Sequence, residues 1–240
     1  MSEKIEVILI DCGSSVVKSA EVINGEFVNR KQWHTVEELH NHYKGIPSII
    51  STVRKDQIQL SKMFGSDNTI VLDYKTPLPI QLDYDTPETL GPDRIALAVG
   101  ANTLFPKQNN LIIDVGTCVT LDVVDEERVF RGGIIAPGLT TRMKAMSYYT
   151  SSLPDISNDW ASIPAKVLGK STKESLLAGS LNGLTHELKA TIETIKEDFA
   201  SINIILTGGD AKYFESRIKA HIFAGSKIVE IGLYRIWKHQ

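Results

Sequence analysis

The stretch Leu111-Ile-Ile-Asp114-Val-Gly116-Thr117-Cys118 repeats the pattern of an earlier one, Glu6-Val-Ile-Leu-Ile-Asp11-Cys-Gly13-Ser14-Ser15. In each copy a short apolar run ends at an aspartate, and a glycine and a hydroxylic residue follow. Short apolar runs rich in β-branched residues and closed by small residues are typical of buried strands. When the two aspartates are aligned, the two glycines align as well, and Ser14 aligns with Thr117. The pattern therefore indicates two related halves.

A further strand and a turn follow each copy. In the first half, 16–22 is predicted to be a strand, and Asn24-Gly25 supplies a tight hairpin turn. In the second half, 119–124 is the strand and 125–128 the turn. A returning strand comes after the turn in both halves. The repeated unit is thus a whole β-meander, much longer than the period of a solenoid.

The remaining segments alternate between strand and helix patterns. Further strands are predicted at 46–53, 69–72 and 202–206, and helices at 57–64, 95–105 and 172–199. This alternation favours an α/β architecture with a ligand cleft between two halves. The polar segment 107–110 marks the boundary, so we predict domains at 1–106 and 107–240.

Composition is that of an ordinary globular protein, with 240 residues, 42% of them hydrophobic and 23% charged. The net charge of −3 and the lack of any block of basic residues argue against binding to nucleic acid or to an acidic membrane surface. A small anionic ligand stays possible, because a few local groups suffice to hold a nucleotide.

Compartment signals favour the cytoplasm. The apolar run 7–10 is too short for the core of a signal peptide, and no later stretch reaches the roughly 18 apolar residues of a membrane helix. The two cysteines, Cys12 and Cys118, have neither the spacing of a zinc site nor the number needed for a disulfide framework. We therefore expect a reduced, cytoplasmic protein.

Three turns of small residues have the chemistry of phosphate sites: Asp11-Cys-Gly-Ser-Ser, Asp114-Val-Gly-Thr and Thr207-Gly-Gly-Asp. Glycine lets the backbone approach a phosphate closely, while hydroxyls and turn N–H groups point at its oxygens. An aspartate at a strand end can hold hydrated Mg²⁺, which uses few protein carboxylates. A single strand followed by Asp-x-Gly is an ordinary turn, but two copies in register favour function. The sequence has neither a P-loop nor a dinucleotide-binding fingerprint.

These motifs resemble those of the actin-like, acetate and sugar kinase superfamily and, within it, those of type III pantothenate kinases. The resemblance runs from Asp11 to about Gly232, and its most specific motif ends in Asp93-Arg94, which actin and sugar kinases lack at this place. The motifs are Asp11-x-Gly13-x-Ser15-x-x-Lys18, Tyr84-x-x-Pro87-x-x-Leu90-Gly91-x-Asp93-Arg94, Asp114-x-Gly116-Thr117-x-x-Thr120-x-Asp122, Gly132-Gly133-x-Ile135-x-Pro137-Gly138, Gly169-x-x-Thr172 and Thr207-Gly208-Gly209. The sequence departs from the family at Ser14-Ser15, where Asn-Thr is usual, so a hydroxyl is kept and an amide is lost.

The resemblance implies two ribonuclease-H-like domains with mixed β-sheets flanked by helices. It implies a kinase that phosphorylates pantothenate to 4′-phosphopantothenate, with ATP, Mg²⁺ and a monovalent cation, K⁺ or NH₄⁺. It also implies a homodimer whose pantothenate pocket is completed at the subunit interface. The mostly apolar helix 95–105 is either a dimer contact or a helix buried within one domain.

Residue roles follow from the same resemblance. Asp93 is the implied base for the substrate hydroxyl, Asp11 holds Mg²⁺ through phosphate, and Asp114 holds the monovalent cation. The pantothenate contacts are Tyr84, Gly91, Pro92, Asp93, Arg94 and Thr172. The nucleotide contacts are Asp11, Cys12, Gly13, Ser14, Ser15, Val16, Val17, Lys18, Thr117, Gly208 and Gly209.

Local sequence leaves structural alternatives open for several of these residues. An aspartate in the first turn of a helix suits the macrodipole, so Asp93 fits a helix start as well as a base. Tyr84 fits strand packing, Thr172 fits the N-cap of the long helix, and Lys18 fits an exposed strand lysine. Four further residues are expected to be structural, the cysteines as small buried fillers: Cys12, Cys118, Asp122 and Asp210.

Two rival functions stay open. One is a kinase or phosphohydrolase of the same superfamily that acts on another small substrate. The other is a nucleotide-dependent regulator without catalysis. Loss of Asp93 or Arg94 would favour the regulator, and both residues are present.

Overall fold

The computed structural model describes residues 4–13, 16–53, 63–64, 68–199, 201–218, 222–224 and 227–240. Ser14, Ser15 and most of the helix predicted at 57–64 lie outside these residues, although 63–64 are helical. The other predicted strands and helices fall within the described ranges and can be compared with the structure directly.

Eleven strands form two sheets among the described residues. The strands are Val7–Cys12 (β1), Val17–Ile23 (β2), Glu26–Trp33 (β3), Ser48–Thr52 (β4), Thr69–Val71 (β5), Gln81–Leu82 (β6), Asn109–Val115 (β7), Cys118–Val124 (β8), Val129–Pro137 (β9), Ile202–Thr207 (β10) and Ile222–Ala224 (β11). The first sheet has the order β3-β2-β1-β4-β5, and the second has the order β11-β10-β7-β8-β9-β6. Every strand predicted from the sequence is confirmed, and the two returning strands, β3 and β9, are longer than expected.

Six α-helices lie wholly within the described part of the chain. They are Val36–His42 (α1), Pro92–Leu104 (α2), Leu139–Tyr149 (α3), Thr172–Leu177 (α4), Gly183–Asp198 (α5) and Ile228–Trp237 (α6). The helix predicted at 172–199 is interrupted, because a π-helical turn at Ala178–Asn182 separates α4 from α5. None of the helices in the described ranges is long and apolar enough to span a membrane.

The chain divides into two compact units. Unit 1 comprises 1–107, 124–132 and 226–240, and unit 2 comprises 108–123 and 133–225. The division predicted from the sequence, into 1–106 and 107–240, stays a prediction. Contacts within the chain also assign two later segments, 124–132 and 226–240, to unit 1.

The first sheet is mixed, because β1 pairs antiparallel with β2 and parallel with β4. In the second sheet, β10 pairs parallel with both β7 and β11.

Helices α2 and α6 pack tightly in unit 1. A Cβ at Gly100 would meet the backbone oxygen of Ile228, and a Cβ at Gly232 would meet that of Ala96. The missing side chains therefore let the two helix backbones approach closely. Most of α2 is buried, from Ile95 through Asn102, so this helix belongs to the interior of its own unit. The structure thus favours the buried alternative for this helix over a dimer contact.

The core of unit 2 lies between its central strands and α3, α4 and α5. Strand β7 contributes Leu111, Ile113 and Val115 to this core, and α5 contributes Leu184 and Leu188. Strands β8 and β10 add further buried apolar residues. The apolar faces of the strands and helices thus close one continuous core within this unit.

Candidate active site

Asp11 lies at the end of β1, where the first of the predicted phosphate turns begins. Its Cα is paired with that of Lys18 across the β1–β2 ladder, and the Lys18 side chain is exposed. Burial raises the pKa of the Asp11 carboxyl to about 6, and the charge of Lys18 opposes this shift. The charges of Asp93 and Glu230 raise the same pKa further. The turn therefore carries a half-buried carboxylate, and neutralisation of its charge by a proton or a cation would relieve the cost of burial.

Asp93 lies in the first turn of α2, immediately before Arg94. Gly91 is the N-cap residue and Pro92 occupies the first helical position, so Asp93 is not the cap itself. Its Oδ1 accepts a hydrogen bond from the Arg94 backbone N–H at 2.9 Å. Burial raises the pKa of Asp93, while the hydrogen bond from Arg94 lowers it. The carboxylate thus lies in an environment that makes it a better proton acceptor than an exposed aspartate.

Gly91 leaves space for the observed position of the Asp93 side chain. A Cβ on Gly91 would lie 2.5 Å from Asp93 Oδ1, which is closer than real Cβ contacts. The glycine therefore leaves room for the carboxylate to fold back over the start of the helix. The backbone conformation gives no reason for a glycine at this position, since any residue can adopt a φ of −59°. The close approach of the Asp93 side chain is the feature that favours it.

Arg94 is buried between two aromatic side chains. Its Cζ lies over the rings of Tyr84 and Phe130, at 5.7 Å from each ring centroid. The two rings meet edge to face, with their centroids 5.9 Å apart. Only 4% of Arg94 is exposed. Tyr84 therefore packs against other side chains, which is the structural alternative that the sequence left open for it. One of these side chains, Arg94, belongs to the predicted substrate motif.

The predicted nucleotide residues of unit 1 divide into buried and accessible ones. The side chains of Cys12 and Val17 belong to the core, so only their backbone groups are available to a ligand. Val16 and Lys18 are exposed, and Gly13 is partly exposed. This alternation follows from the strand period of two residues.

In unit 2, the second and third predicted phosphate turns lie side by side. Strands β7 and β10 are parallel, and Asp114 is paired with Thr207. Gly208 has a φ of +101°, and a Cβ there would meet the Asp114 carboxylate and the Val115 backbone. The Asp210 backbone N–H donates to the Val115 carbonyl at 3.0 Å. Only glycine meets both the conformational and the spatial requirement at position 208.

The start of α3 closes the other side of the Asp114 turn. The Gly138 N–H and the Thr141 hydroxyl both donate to the Thr117 carbonyl, at 3.0 and 2.6 Å. A Cβ on Gly138 would meet the backbone oxygens of Gly116 and Thr117. The Thr117 side chain itself is exposed. Thr141 was not identified from the sequence, because its partner lies on a different element.

Thr172 begins α4, but it does not cap the helix. Ser171 is the N-cap residue, and its side chain accepts from the Glu174 N–H at 3.3 Å. Glu174 accepts in turn from the Lys170 N–H and from Lys166 Nζ, each at 2.7 Å. The N-cap alternative for Thr172 is therefore wrong, and its exposed side chain is available for contact.

Two structural expectations have different outcomes. Cys12 is buried, as predicted for a small filler, whereas Cys118 is exposed at the start of β8, so the prediction is wrong there. Strand β8 begins directly at the turn, which places this cysteine outside the core. Among the described residues, no group of three His, Cys, Asp or Glu side chains could hold a metal ion.

Comparison with known proteins identifies one family. The family model of type III pantothenate kinases matches residues 7–194. A type III pantothenate kinase of Cytophaga hutchinsonii is 40% identical over 232 residues, which cover 95% of this chain and 97% of that protein.

Solved structures show the same fold at low sequence identity. A Campylobacter jejuni protein, described as a conserved member of the Baf family of transcriptional activators, has a TM-score of 0.66 and 18% identity, with 96% of this chain and 97% of that chain covered. A ROK family glucokinase from Streptomyces griseus, solved with glucose and AMPPNP, has a TM-score of 0.53 and 12% identity, with coverage of 96% and 97%. At these identities the likeness shows the fold alone, and it confirms the predicted actin-like α/β class.

Proposed function

Because the chain belongs to the type III pantothenate kinase family, we propose that it transfers the γ-phosphoryl group of ATP to the primary hydroxyl of pantothenate. The product is 4′-phosphopantothenate, and the reaction is the first step of coenzyme A biosynthesis. The observation that carries this proposal is the Asp93-Arg94 pair at the start of α2, where the charge of Asp93 acts on Asp11.

In this reaction the substrate oxygen forms a bond to the γ-phosphorus while the bond from that phosphorus to the β,γ-bridging oxygen breaks. ADP leaves with the electron pair of the broken bond, and Asp93 accepts the hydroxyl proton. Because the transition state of phosphoryl transfer is loose, the proton leaves late, and catalysis consists mainly of positioning and charge neutralisation. A carboxylate whose pKa is raised by burial is a suitable acceptor.

The nucleotide contacts come from both repeated turns. In unit 1 we assign the segment from Asp11 to Lys18, with Cys12 and Val17 acting through their backbone groups. In unit 2 we assign Thr117, Gly208 and Gly209, all of which are exposed. Turn N–H groups and hydroxyls are the donors that phosphate oxygens prefer.

The residues present fit the two cations that such a reaction uses. Asp11 supplies one carboxylate oxygen donor near the end of β1, and Mg²⁺ bound to phosphates needs few protein ligands. Asp114 supplies a carboxylate oxygen beside the Val115 carbonyl, at the place that a Cβ on Gly208 would fill. Oxygen ligands of this kind suit K⁺ or NH₄⁺. When bound, the cations neutralise phosphate charge.

Pantothenate carries a carboxylate, and Arg94 offers a permanently charged group to pair with it. Tyr84, Gly91, Pro92 and Thr172 complete the proposed contacts. Arg94 is only 4% exposed, so a ligand reaches little of this side chain.

We also propose a homodimer, and the exposed apolar residues of unit 2 support it. Large exposed apolar side chains mark interaction surfaces. They occur on β9, at the end of α3 and in the segment before α4: Ile134, Ile135, Tyr148, Tyr149, Val167 and Leu168. Sedimentation at micromolar concentration checks this proposal, and a fully active monomer would contradict it.

The proposed location is the cytoplasm, where ATP is available. Among the described residues, Cys12 and Cys118 form no disulfide, which agrees with a reducing compartment. Fractionation of cells that express a tagged form tests the location.

A coupled assay of ATP consumption tests the function. We expect consumption that requires both pantothenate and Mg²⁺. Equal turnover without pantothenate would indicate a phosphohydrolase, and turnover with another small alcohol alone would indicate a different kinase. Nucleotide binding without any turnover would indicate a regulator.

A further inference from the structure

Phe130 lies against the predicted substrate motif, although no sequence motif pointed to it. It is fully buried on β9, and Arg94 Cζ lies 5.7 Å from its ring centroid. Its side chain is a hydrocarbon ring that can form no hydrogen bond with pantothenate or ATP. Any effect of Phe130 on the reaction must therefore pass through the groups that it touches.

The backbone at Phe130 is held in the second sheet. Strand β6 pairs parallel with β9, with Leu82 opposite Phe130, and the Asp83 N–H donates to the Phe130 carbonyl at 3.0 Å. The next residue, Arg131, binds the Asp83 carboxylate at 3.0 Å and the Asp125 carboxylate at 2.7 Å. The pairing of β6 with β9 thus fixes the backbone at Phe130. It also fixes the chain immediately before Tyr84, which is the second aromatic partner of Arg94.

A guanidinium over an aromatic face is attracted by the negative charge of the ring, most strongly where water is excluded. Arg94 has two such rings and is almost completely buried. The pair of rings therefore restricts a side chain that would otherwise have many rotamers. A guanidinium held in one position loses less entropy when it pairs with a carboxylate.

We propose that Phe130 is a positioning residue for pantothenate binding, which acts by holding the Arg94 guanidinium in the orientation that meets the substrate carboxylate. The proposal rests on the function proposed above and deepens it. Tyr84 can contact the substrate through its hydroxyl as well as support Arg94, whereas the buried ring of Phe130 acts on the substrate only through its neighbours.

The test is the variant Phe130→Leu, which keeps an apolar side chain but removes the aromatic face. We expect KM for pantothenate to rise about fivefold, which corresponds to the loss of one cation–π contact, while KM for ATP changes less than about twofold. Phe214→Leu is the matched control, because Phe214 is a fully buried phenylalanine of unit 2. This control is expected to lower the melting temperature and leave KM for pantothenate unchanged.

A double-mutant cycle separates positioning from general damage to the fold. In an Arg94→Lys background, Phe130→Leu is expected to add little to KM for pantothenate, because an ammonium has no planar fork to orient. Equal effects of Phe130→Leu in the two backgrounds would overturn the proposal, and so would an unchanged KM in the single variant. If Phe130→Leu does not fold, Phe130→Met takes its place, and failure of both to fold would refute a role limited to positioning. Wild-type protein without pantothenate-dependent activity would instead refute the proposed function.

Discussion

The turn at Asp11 and the turn at Asp114 have the same sequence pattern but different surroundings. Asp11 lies near other ionisable groups of unit 1, with Lys18 opposite and the charges of Asp93 and Glu230 acting on it. Asp114 lies against the backbone of a second turn, where Gly208 packs on its carboxylate. The carboxylate of the first turn is thus buried among other ionisable side chains, and that of the second is packed against a backbone turn.

This difference is the basis for proposing different roles for the two copies of the motif. A buried carboxylate with acidic neighbours has a raised pKa and attracts a cation or a proton. A carboxylate enclosed by glycine turns lies among carbonyl oxygens and N–H groups that can surround a cation or a phosphate. The four predictions below run from the largest expected effect to the smallest. The first concerns the proposed base, Asp93, and the other three test the Asp11 turn and the Asp114 turn separately.

The largest effect is expected for Asp93→Asn. Asparagine keeps the size and the hydrogen bond to the Arg94 N–H but cannot accept a proton, so turnover should fall by roughly two to four orders of magnitude. ATP binding should persist, because the nucleotide contacts are unchanged. Steady-state kinetics and ATP titration measure the two effects.

Asp73→Asn is the matched control, since this carboxylate also accepts backbone N–H groups, from Lys75 and Thr76. It should leave turnover unchanged. If Asp93→Asn retained nearly wild-type turnover, Asp93 would have only a structural role at the start of α2.

Gly208→Ala tests the close packing at the second turn. The new Cβ would meet the Asp114 carboxylate and would force alanine into a φ of +101°, so the free energy of unfolding should fall by about 2–3 kcal/mol. KM for ATP should rise about tenfold, which corresponds to the loss of roughly 1.4 kcal/mol of binding free energy. Gly209→Ala is the control for stability, because its Cβ would meet nothing within 4 Å. Equal melting temperatures of the two variants would contradict the packing argument.

Asp11→Asn tests the charge at the first turn. The folded-state pKa of about 6 lies above the ordinary value of 3.8. Between these values the folded protein binds more protons than the unfolded chain, so the free energy of unfolding falls as the pH rises. Above about pH 6 the ionised carboxylate therefore costs stability, on the order of 3 kcal/mol.

Asparagine removes this cost, so Asp11→Asn should be more stable than the wild type at about pH 8, and the difference should shrink towards about pH 4. Chemical denaturation without nucleotide or Mg²⁺ measures it across this range. A difference that does not depend on pH would show that the charge of Asp11 is not the cause.

The smallest effect is expected for Asp114→Asn. If Asp114 holds a monovalent cation, K⁺ and NH₄⁺ should stimulate the wild-type enzyme more than Na⁺ does, and the variant should lose most of this preference. Rates in the three chloride salts at equal ionic strength provide the measurement. Identical rates of the wild type in all three salts would count against the cation site.

Much of the candidate site could be proposed from the sequence because its motifs are local. Asp11 and Asp114 each follow an apolar strand directly, and the glycines of the three turns identify tight turns without any distant contact. The role of Ser171 as the N-cap was missed, since Thr172 beside it is an equally good capping residue by type. Phe130 was missed because its partner lies on another element, and no local pattern joins them.

The sequence by itself determined nine of the eleven described strands, the repeated turns and the actin-like class, because strand periodicity and glycine turns are properties of neighbouring residues. Tertiary structure decided which helices are buried and what surrounds each aspartate. Helix α6 was not predicted, and its Gly232 acquires meaning only against Ala96 of α2. The raised pKa of Asp11 likewise depends on burial and, to a smaller extent, on Asp93 and Glu230, which lie far away in the chain. Burial and electrostatic interactions act through space, so only the folded chain brings these groups together.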